Sequence, residues 1–129
     1  MSDVVREALT QHLKKNTTLD IFPEVLPQGL KGGVVVTRTF VNRYRSKTGL
    51  TGLTESRVTI TAIGERKLSI RSAADSIEAL LTGFNGNMEG VQVKVISLED
   101  QDDAYDEAVN AHLISSVYKI IHLNEEVAE

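Results

Sequence analysis

The hydrophobic pattern of this chain switches between a period of two residues and a period of 3.6 residues, and this alternation constrains the fold most strongly. Two strand-like runs, over 34–44 and 55–63, precede a segment over 67–81 whose apolar residues recur at helical spacing. Two further strand-like runs follow, over 91–98 and 111–123. The pattern therefore predicts two pairs of strands separated by one amphipathic helix.

A further helix is predicted at the start of the chain, over 3–14, where apolar residues again recur at helical spacing. The predicted order is then α-β-β-α-β-β. In a chain of 129 residues this order favours one α+β domain spanning 1–129, with an antiparallel sheet and both helices packed on one face. The last residues, 124–129, are expected to fray.

The connections between these elements are unusual in length and composition. A proline- and glycine-containing linker is predicted over 16–33, a long hairpin tip over 45–54, and an acidic connection over 99–107. The closing strand, 111–123, carries large apolar residues on both faces. We expect a helix to cover one of these faces and a partner subunit to cover the other.

Charge is distributed unevenly along the chain. Residues 1–73 contain 12 Lys and Arg against 6 Asp and Glu, whereas residues 74–129 contain 2 against 12. The net charge of −4 disfavours a uniformly basic nucleic-acid binder. It also conceals a positive first part and a negative second part, which could form complementary surfaces.

Several functional classes lack support in the sequence. There is no cysteine, so disulfides and thiol nucleophiles are excluded, and no apolar run approaches the ~18 residues of a membrane span. The glycine-rich stretch over 83–90 follows a helix, whereas a phosphate-binding loop would precede one. His112 and His122 lie roughly 30 Å apart on one strand, too far to share a metal ion. We expect no enzyme activity, cofactor, metal, small-molecule substrate or membrane association, and no secretory signal at the N-terminus.

Six carboxylates are concentrated between the last two predicted strands. They are Glu99, Asp100, Asp102, Asp103, Asp106 and Glu107. Calcium binding, a solvated turn and a charged interface are the three interpretations. The calcium loop of an EF-hand is disfavoured, because Tyr105 and Ala111 occupy the positions at which such a loop needs glycine and glutamate.

The predicted hairpin carries the opposite charge. Arg43, Arg45 and Lys47 lie at or beside its tip, and Arg38 and Arg57 lie on its strands. A nucleic-acid contact, a protein interface and plain solvation all remain open for this tip. The residues alone thus indicate a non-enzymatic α+β interaction domain that forms oligomers.

The linker carries a recognisable motif. The stretch Phe22-Pro23-Glu24-Val25-Leu26-Pro27-Gln28-Gly29, followed by a valine-rich strand, resembles the tail-completion family of long-tailed phages and prophages. The order of the predicted elements is also similar, over nearly the whole chain. The family comprises small tail-terminator and head-to-tail joining proteins.

This resemblance implies a structural role in the virion, made in the host bacterial cytoplasm. Such proteins cap the tail tube and dock on the head connector, commonly as hexameric rings. The implied partners are other copies of the chain, the tail tube protein and connector proteins. A stopper or adaptor at the head–tail interface is the nearest alternative, and a small nucleic-acid-binding domain is the alternative from another class.

A ring requires that one surface of a subunit meets a different surface of its neighbour. We predict that the basic tip contacts either a neighbour's acidic residues or a negative rim of the tube or connector. The interface residues predicted on this basis are Arg43, Arg45, Lys47, Arg57, Asp100, Asp102, Asp103, Asp106 and Tyr118.

Overall fold

The computed structural model describes residues 4–17, 19–23, 32–46, 49–108 and 110–123, of which 4, 23, 38–46 and 49–53 are described by their backbone alone. The predicted α+β class is confirmed. Eight elements follow one another along the chain: α1 (Val4–Asn16), β1 (Ile21–Pro23), β2 (Gly33–Ser46), β3 (Gly49–Gly64), α2 (Lys67–Leu81), β4 (Gly86–Met88), β5 (Val91–Asp106) and β6 (Ala111–Leu123).

The strands form one mixed six-stranded sheet in the order β1-β2-β3-β6-β5-β4. All neighbouring pairs are antiparallel except β1 and β2, which are parallel. Long hairpins join β2 to β3 and β5 to β6, and the pairing of β3 with β6 joins the two hairpins at the centre. The two long hairpins that the sequence pattern predicts are therefore present, and the structure adds the pairing of β3 with β6 that joins them.

Both helices pack against the same face of the sheet and enclose one hydrophobic core. The apolar stripe of α2 consists of Ile70, Ala74, Ile77 and Leu81, all buried. The stripe of α1 includes Leu9 and Leu13, each fully buried against the first strands and the β4–β5 hairpin. On β3 and β6 the buried core residues recur every second position, as expected of strands with one covered face.

Two short strands are absent from the predicted order. β1 lies inside the predicted linker over 16–33, and β4 lies inside the glycine-rich connection over 83–90. Each has three residues, too few for a period of two to be recognised. The rest of the linker motif, from Glu24 to Gly29, lies outside the described residues.

The predicted hairpin tip over 45–54 is wrong in its extent. Pairing between β2 and β3 continues to Arg45 opposite Leu50 and Ser46 opposite Gly49, so most of this segment is strand. Glycine and polar residues lower strand propensity there, but the partner strand supplies the ladder hydrogen bonds. Residues 47 and 48 lie outside the described part of the chain.

The predicted acidic connection over 99–107 is also wrong. β5 extends to Asp106 and pairs with β6 along its length, with Asp102 opposite Ser115 and Asp106 opposite Ala111. Aspartate is disfavoured in strands, but the long apolar β6 provides a continuous partner that overrides this local preference. Irregularities between Val93 and Val95 and between Leu98 and Asp100 interrupt the register, as β-bulges do.

The closing strand has the predicted bounds, Ala111–Leu123. The side chains that face the helices, including Ile114 and Ile120, are buried. Those on the opposite face, including Leu113, Val117 and Ile121, remain partly exposed. The helix-covered face is thus confirmed, whereas a partner subunit on the other face stays a prediction.

Candidate functional site

The acidic residues line the outer part of β5. Every residue from Glu99 to Asp106 except Gln101 is exposed. Among the described residues, β4 pairs with β5 only over Val91–Val93, and the Gly83 amide donates to the Ile96 carbonyl at 2.9 Å. Beyond that point, β6 is the only strand in the described ranges that pairs with β5. We call Ser97–Asp106 the acidic edge.

One cation from α2 contacts this acidic edge. The Arg71 guanidinium donates to Gln101 Oε1 at 3.0 Å and to Asp103 Oδ1 at 3.3 Å. It also reaches Asp75 Oδ1 at 3.3 Å, one helical turn away. Asp100 and Asp106 instead accept backbone amides close in sequence, those of Gln101 and Ala108. Arg71 therefore fixes the helix-facing side of the edge and leaves several carboxylates exposed.

The predicted basic residues of β2 lie near the opposite edge of the sheet from β5. Arg38, Arg43 and Arg45 belong to β2, and Lys47 lies outside the described residues. In the described part of the chain, β1 pairs with β2 only over Val34–Val36. We call Thr37–Ser46 of β2 the basic edge. Since β3 and β6 separate β2 from β5, the structure does not bring the basic and acidic edges together within one chain.

Arg57 belongs to a different cluster, on the face of the sheet that carries no helix. Its Nη2 lies 2.9 Å from Glu55 Oε2 and 3.8 Å from Glu99 Oε1, and Lys119 Nζ lies 4.0 Å from Glu99 Oε2. These ion pairs connect β3, β6 and β5. The predicted place of Arg57 on a strand of the hairpin is confirmed, whereas its ion pairs set it apart from the basic tip, and its role at an interface stays a prediction.

Tyr118 is fully buried, at 0% exposure, under the helix-covered face. Burial raises the pKa of its phenol, and the nearby carboxylates of Glu78 and Asp75 raise it further. A side chain in this position is a core residue. Its predicted role as an interface contact is incompatible with this burial.

A buried polar pair escaped the sequence analysis. Ser56 Oγ lies 2.8 Å from Nε2 of His122, and both residues are fully buried. The His122 Nδ1 lies 2.7 Å from the Leu123 carbonyl, which can only accept, so Nδ1 carries a proton. The signal available in the sequence was His122 on the core-facing side of β6. No substrate can reach this Ser–His pair without opening of the core.

In the residues that the structure describes, no three His, Asp or Glu side chains come together in a way that could hold a metal ion. The carboxylates of the acidic edge are spread along an extended strand, whereas a calcium loop wraps its ligands around one point. Within the same ranges, no helix has the length and apolar character needed to cross a membrane.

Comparison with known proteins identifies solved structures of similar fold. No family model and no curated sequence matches the chain. Among solved structures, a chain of the virion of a native gene transfer agent particle superposes with a TM-score of 0.74 at 17% identity, covering 93% of this chain and 95% of that one. A second solved structure, without a functional description, gives a TM-score of 0.62 at 13% identity over 96% of both chains. The shared fold thus extends over nearly the whole length of each.

Proposed function

We propose that this chain is a structural protein of a phage-like virion that caps the tail tube and joins the tail to the head connector. The observation that carries the proposal is the fold shared with a chain of a gene transfer agent virion over almost the full length of both proteins. The Phe22–Gly29 linker motif supports the same class independently.

The arrangement of polar groups favours assembly over catalysis. The buried Ser56–His122 pair has the residue types of a nucleophile and its base, but both residues are fully buried in the core. Exposed carboxylates, by contrast, line the acidic edge along one side of the sheet. Exposed charge of one sign suits partner recognition, because it sets orientation and association rate.

In this proposal copies of the chain form a ring in the virion, and the family resemblance implies six copies. The chain is made in the host cytoplasm. A ring contact is heterologous, so it needs two different surfaces on each subunit. Residues of both charge signs are available for it: Arg43, Arg45 and Lys47 on one side, and the carboxylates of the acidic edge on the other. Tail tube and connector proteins are the remaining partners.

Deletion of the gene in the phage or particle that encodes it tests the role. We expect tail tubes of uncontrolled length and heads without tails in electron micrographs, with rescue by the wild-type chain. Rescue by Arg43→Glu with Arg45→Glu should fall at least about tenfold, because the reversed charges repel the acidic partner surface. Lys14→Glu, an exposed substitution on α1, is the matched control and should rescue fully.

The outcomes separate the alternatives. Tails of normal length that lack heads would point to a stopper or adaptor and contradict tail capping. Normal, infectious particles after deletion would overturn the structural role altogether.

A further inference from the structure

The sheet has two strand edges that the described residues leave unpaired over similar lengths. The basic edge begins where β1 ends, after Val36, and the acidic edge begins just after the last contact with the β4 region, at Ile96. Each covers about ten residues. Unpaired strand edges carry free N–H and C=O groups and accept a further strand readily.

The two edges are opposite in charge. Over 33–54 the chain has three arginines and one lysine and no acidic residue, whereas over 95–118 it has six carboxylates and no lysine or arginine. Two acidic edges placed side by side would repel each other, and so would two basic edges. Charge therefore favours contact of the acidic edge of one copy with the basic edge of the next.

Strand direction permits this contact in a continuous sheet. Successive long strands β2, β3, β6 and β5 are antiparallel, so β5 runs opposite to β2. When copies are related by rotation about a ring axis, β5 of one copy would lie antiparallel to β2 of the next. The pairing thus continues the alternation already present within the chain.

The edges are offset along the strands. Within one chain, Ser97 pairs with Lys119, Lys119 with Arg57, and Arg57 with Phe40, so Ser97 and Phe40 lie at the same height along the strands. Full antiparallel overlap of the two edges would instead place Ser97 beside Ser46 of the next copy. The shift from Phe40 to Ser46 is about six residues, or roughly 20 Å along the strand direction. The distance across the sheet from β2 of one copy to β2 of the next is four strand spacings, or about 19 Å. The strands would then tilt by roughly 45° from the ring axis, close to the tilt of closed barrels.

We propose that copies of this chain join edge to edge, the acidic edge of one pairing antiparallel with the basic edge of its neighbour, so that the sheet continues around the ring. The occupant of each edge is a second copy of the chain. The inference rests on the ring part of the proposed function and specifies its contact. It also differs from a contact made by side chains alone, because the backbones of the two edges are hydrogen-bonded.

The absence of cysteine from the chain gives a clean test. Single cysteines are introduced at three neighbouring positions of the basic edge (Val41→Cys, Asn42→Cys, Arg43→Cys) and three of the acidic edge (Gln101→Cys, Asp102→Cys, Asp103→Cys). Paired strands bring facing Cα atoms within about 5.5 Å, which a disulfide can bridge. We expect oxidised dimers in mixtures of one basic-edge and one acidic-edge variant, and the strongest pair then gives the register.

Each variant oxidised alone is the first control and should yield at least about tenfold less dimer than the mixture. Gln11→Cys, on the exposed side of α1, is the second control and should not cross-link with either edge. Dimers formed by acidic-edge variants alone would overturn the proposal, because they indicate a symmetric contact. Rings that form without any cross-link between edges would also overturn it.

Charge reversal at the two edges gives a second test, which needs no cross-linking and measures the self-association constant. Asp100→Lys with Asp102→Lys should lower the self-association constant at least about tenfold, and mixing this variant with Arg43→Glu plus Arg45→Glu should restore part of the loss. Glu7→Lys on α1 is the matched control and should change nothing. A chain that stays monomeric at high concentration and low salt overturns edge pairing. Normal tails after gene deletion, with cross-linking intact, would overturn only the virion role.

Discussion

The hydroxyl of Tyr118 has no hydrogen-bond partner among the described residues, although the side chain is fully buried. A buried donor without a partner costs free energy relative to its hydrated state. We therefore expect Tyr118→Phe to leave the free energy of unfolding unchanged or to raise it by up to about 1 kcal/mol. Denaturant unfolding with the linear extrapolation measures this difference.

Tyr118→Ala is the control for this prediction. It removes the ring from the core and should cost about 3–5 kcal/mol. A loss above about 1 kcal/mol in the phenylalanine variant would mean that the hydroxyl is hydrogen-bonded in solution. Unchanged association of the phenylalanine variant would agree with its placement in the core.

Burial of His12 on α1 should make the free energy of unfolding depend on pH. Its ring contacts Phe84 edge-on at 5.0 Å, and its Nε2 is buried without a partner in the described ranges. Burial lowers the pKa of His12 below its ordinary value of 6.5, and Glu89 opposes this in part. As the pH falls through about 6.5, His12 binds a proton in the unfolded chain but remains neutral in the folded chain. The free energy of unfolding therefore decreases.

His12→Gln should reduce the loss of unfolding free energy between about pH 7.5 and pH 5, measured by urea titration at each pH. Glu89→Gln should enlarge the loss, because removing the carboxylate lowers the pKa of His12 further. An identical pH profile in wild type and His12→Gln would contradict the prediction.

At the scale of elements, Arg71 fastens α2 to the acidic edge through Gln101 and Asp103. Its side chain is partly exposed, so solvent screens the pairs and their contribution is modest. We expect Arg71→Gln to cost about 0.5–1 kcal/mol of unfolding free energy. Amide hydrogen exchange over 101–105 should become faster, because the strand end loses its tether.

Lys67→Gln is the matched control, since Lys67 lies on the same helix, is exposed and forms no ion pair among the described residues. It should change neither the unfolding free energy nor the exchange rates measurably. Equal exchange in the Arg71 variant and wild type would show that β6 alone holds the end of β5.

Elements with a sustained period were predictable from sequence, and those set by a partner strand were not. α2 and β6 have their predicted bounds, because long apolar stripes determine both. The acidic part of β5 was missed, since its strand conformation comes from pairing with β6 and its composition favours a turn. Tyr118 was predicted to be an interface residue for a similar reason: which face of a strand is covered depends on register and helix placement.

At the scale of the whole molecule, the positive first part and the negative second part of the sequence place charges of opposite sign in different regions of the sheet. The basic residues of β2 and the acidic residues of β5 lie on opposite sides of the two central strands. Sequence reasoning predicted that both charged segments exist and that they oppose each other in sign. It placed them in a loop and a tip, whereas in the fold both belong to long strands, which converts two charged loops into two charged edges.

Association through such edges should depend strongly on salt. Charges of opposite sign attract across the contact, and added salt screens exposed charges beyond a Debye length of about 10 Å at 0.1 M and about 3 Å at 1 M. We expect the self-association constant to fall at least about tenfold between about 0.05 and 0.5 M NaCl, measured by analytical ultracentrifugation and native mass spectrometry. Arg43→Glu with Arg45→Glu should associate weakly at low salt, and its association constant should not fall with added salt, because salt screens the repulsion between like charges. Lys14→Glu should follow the wild-type curve. Association that is unchanged or strengthened by salt would instead assign the contact to the partly exposed Leu113, Val117 and Ile121 on the open face of the sheet, because salt favours apolar burial.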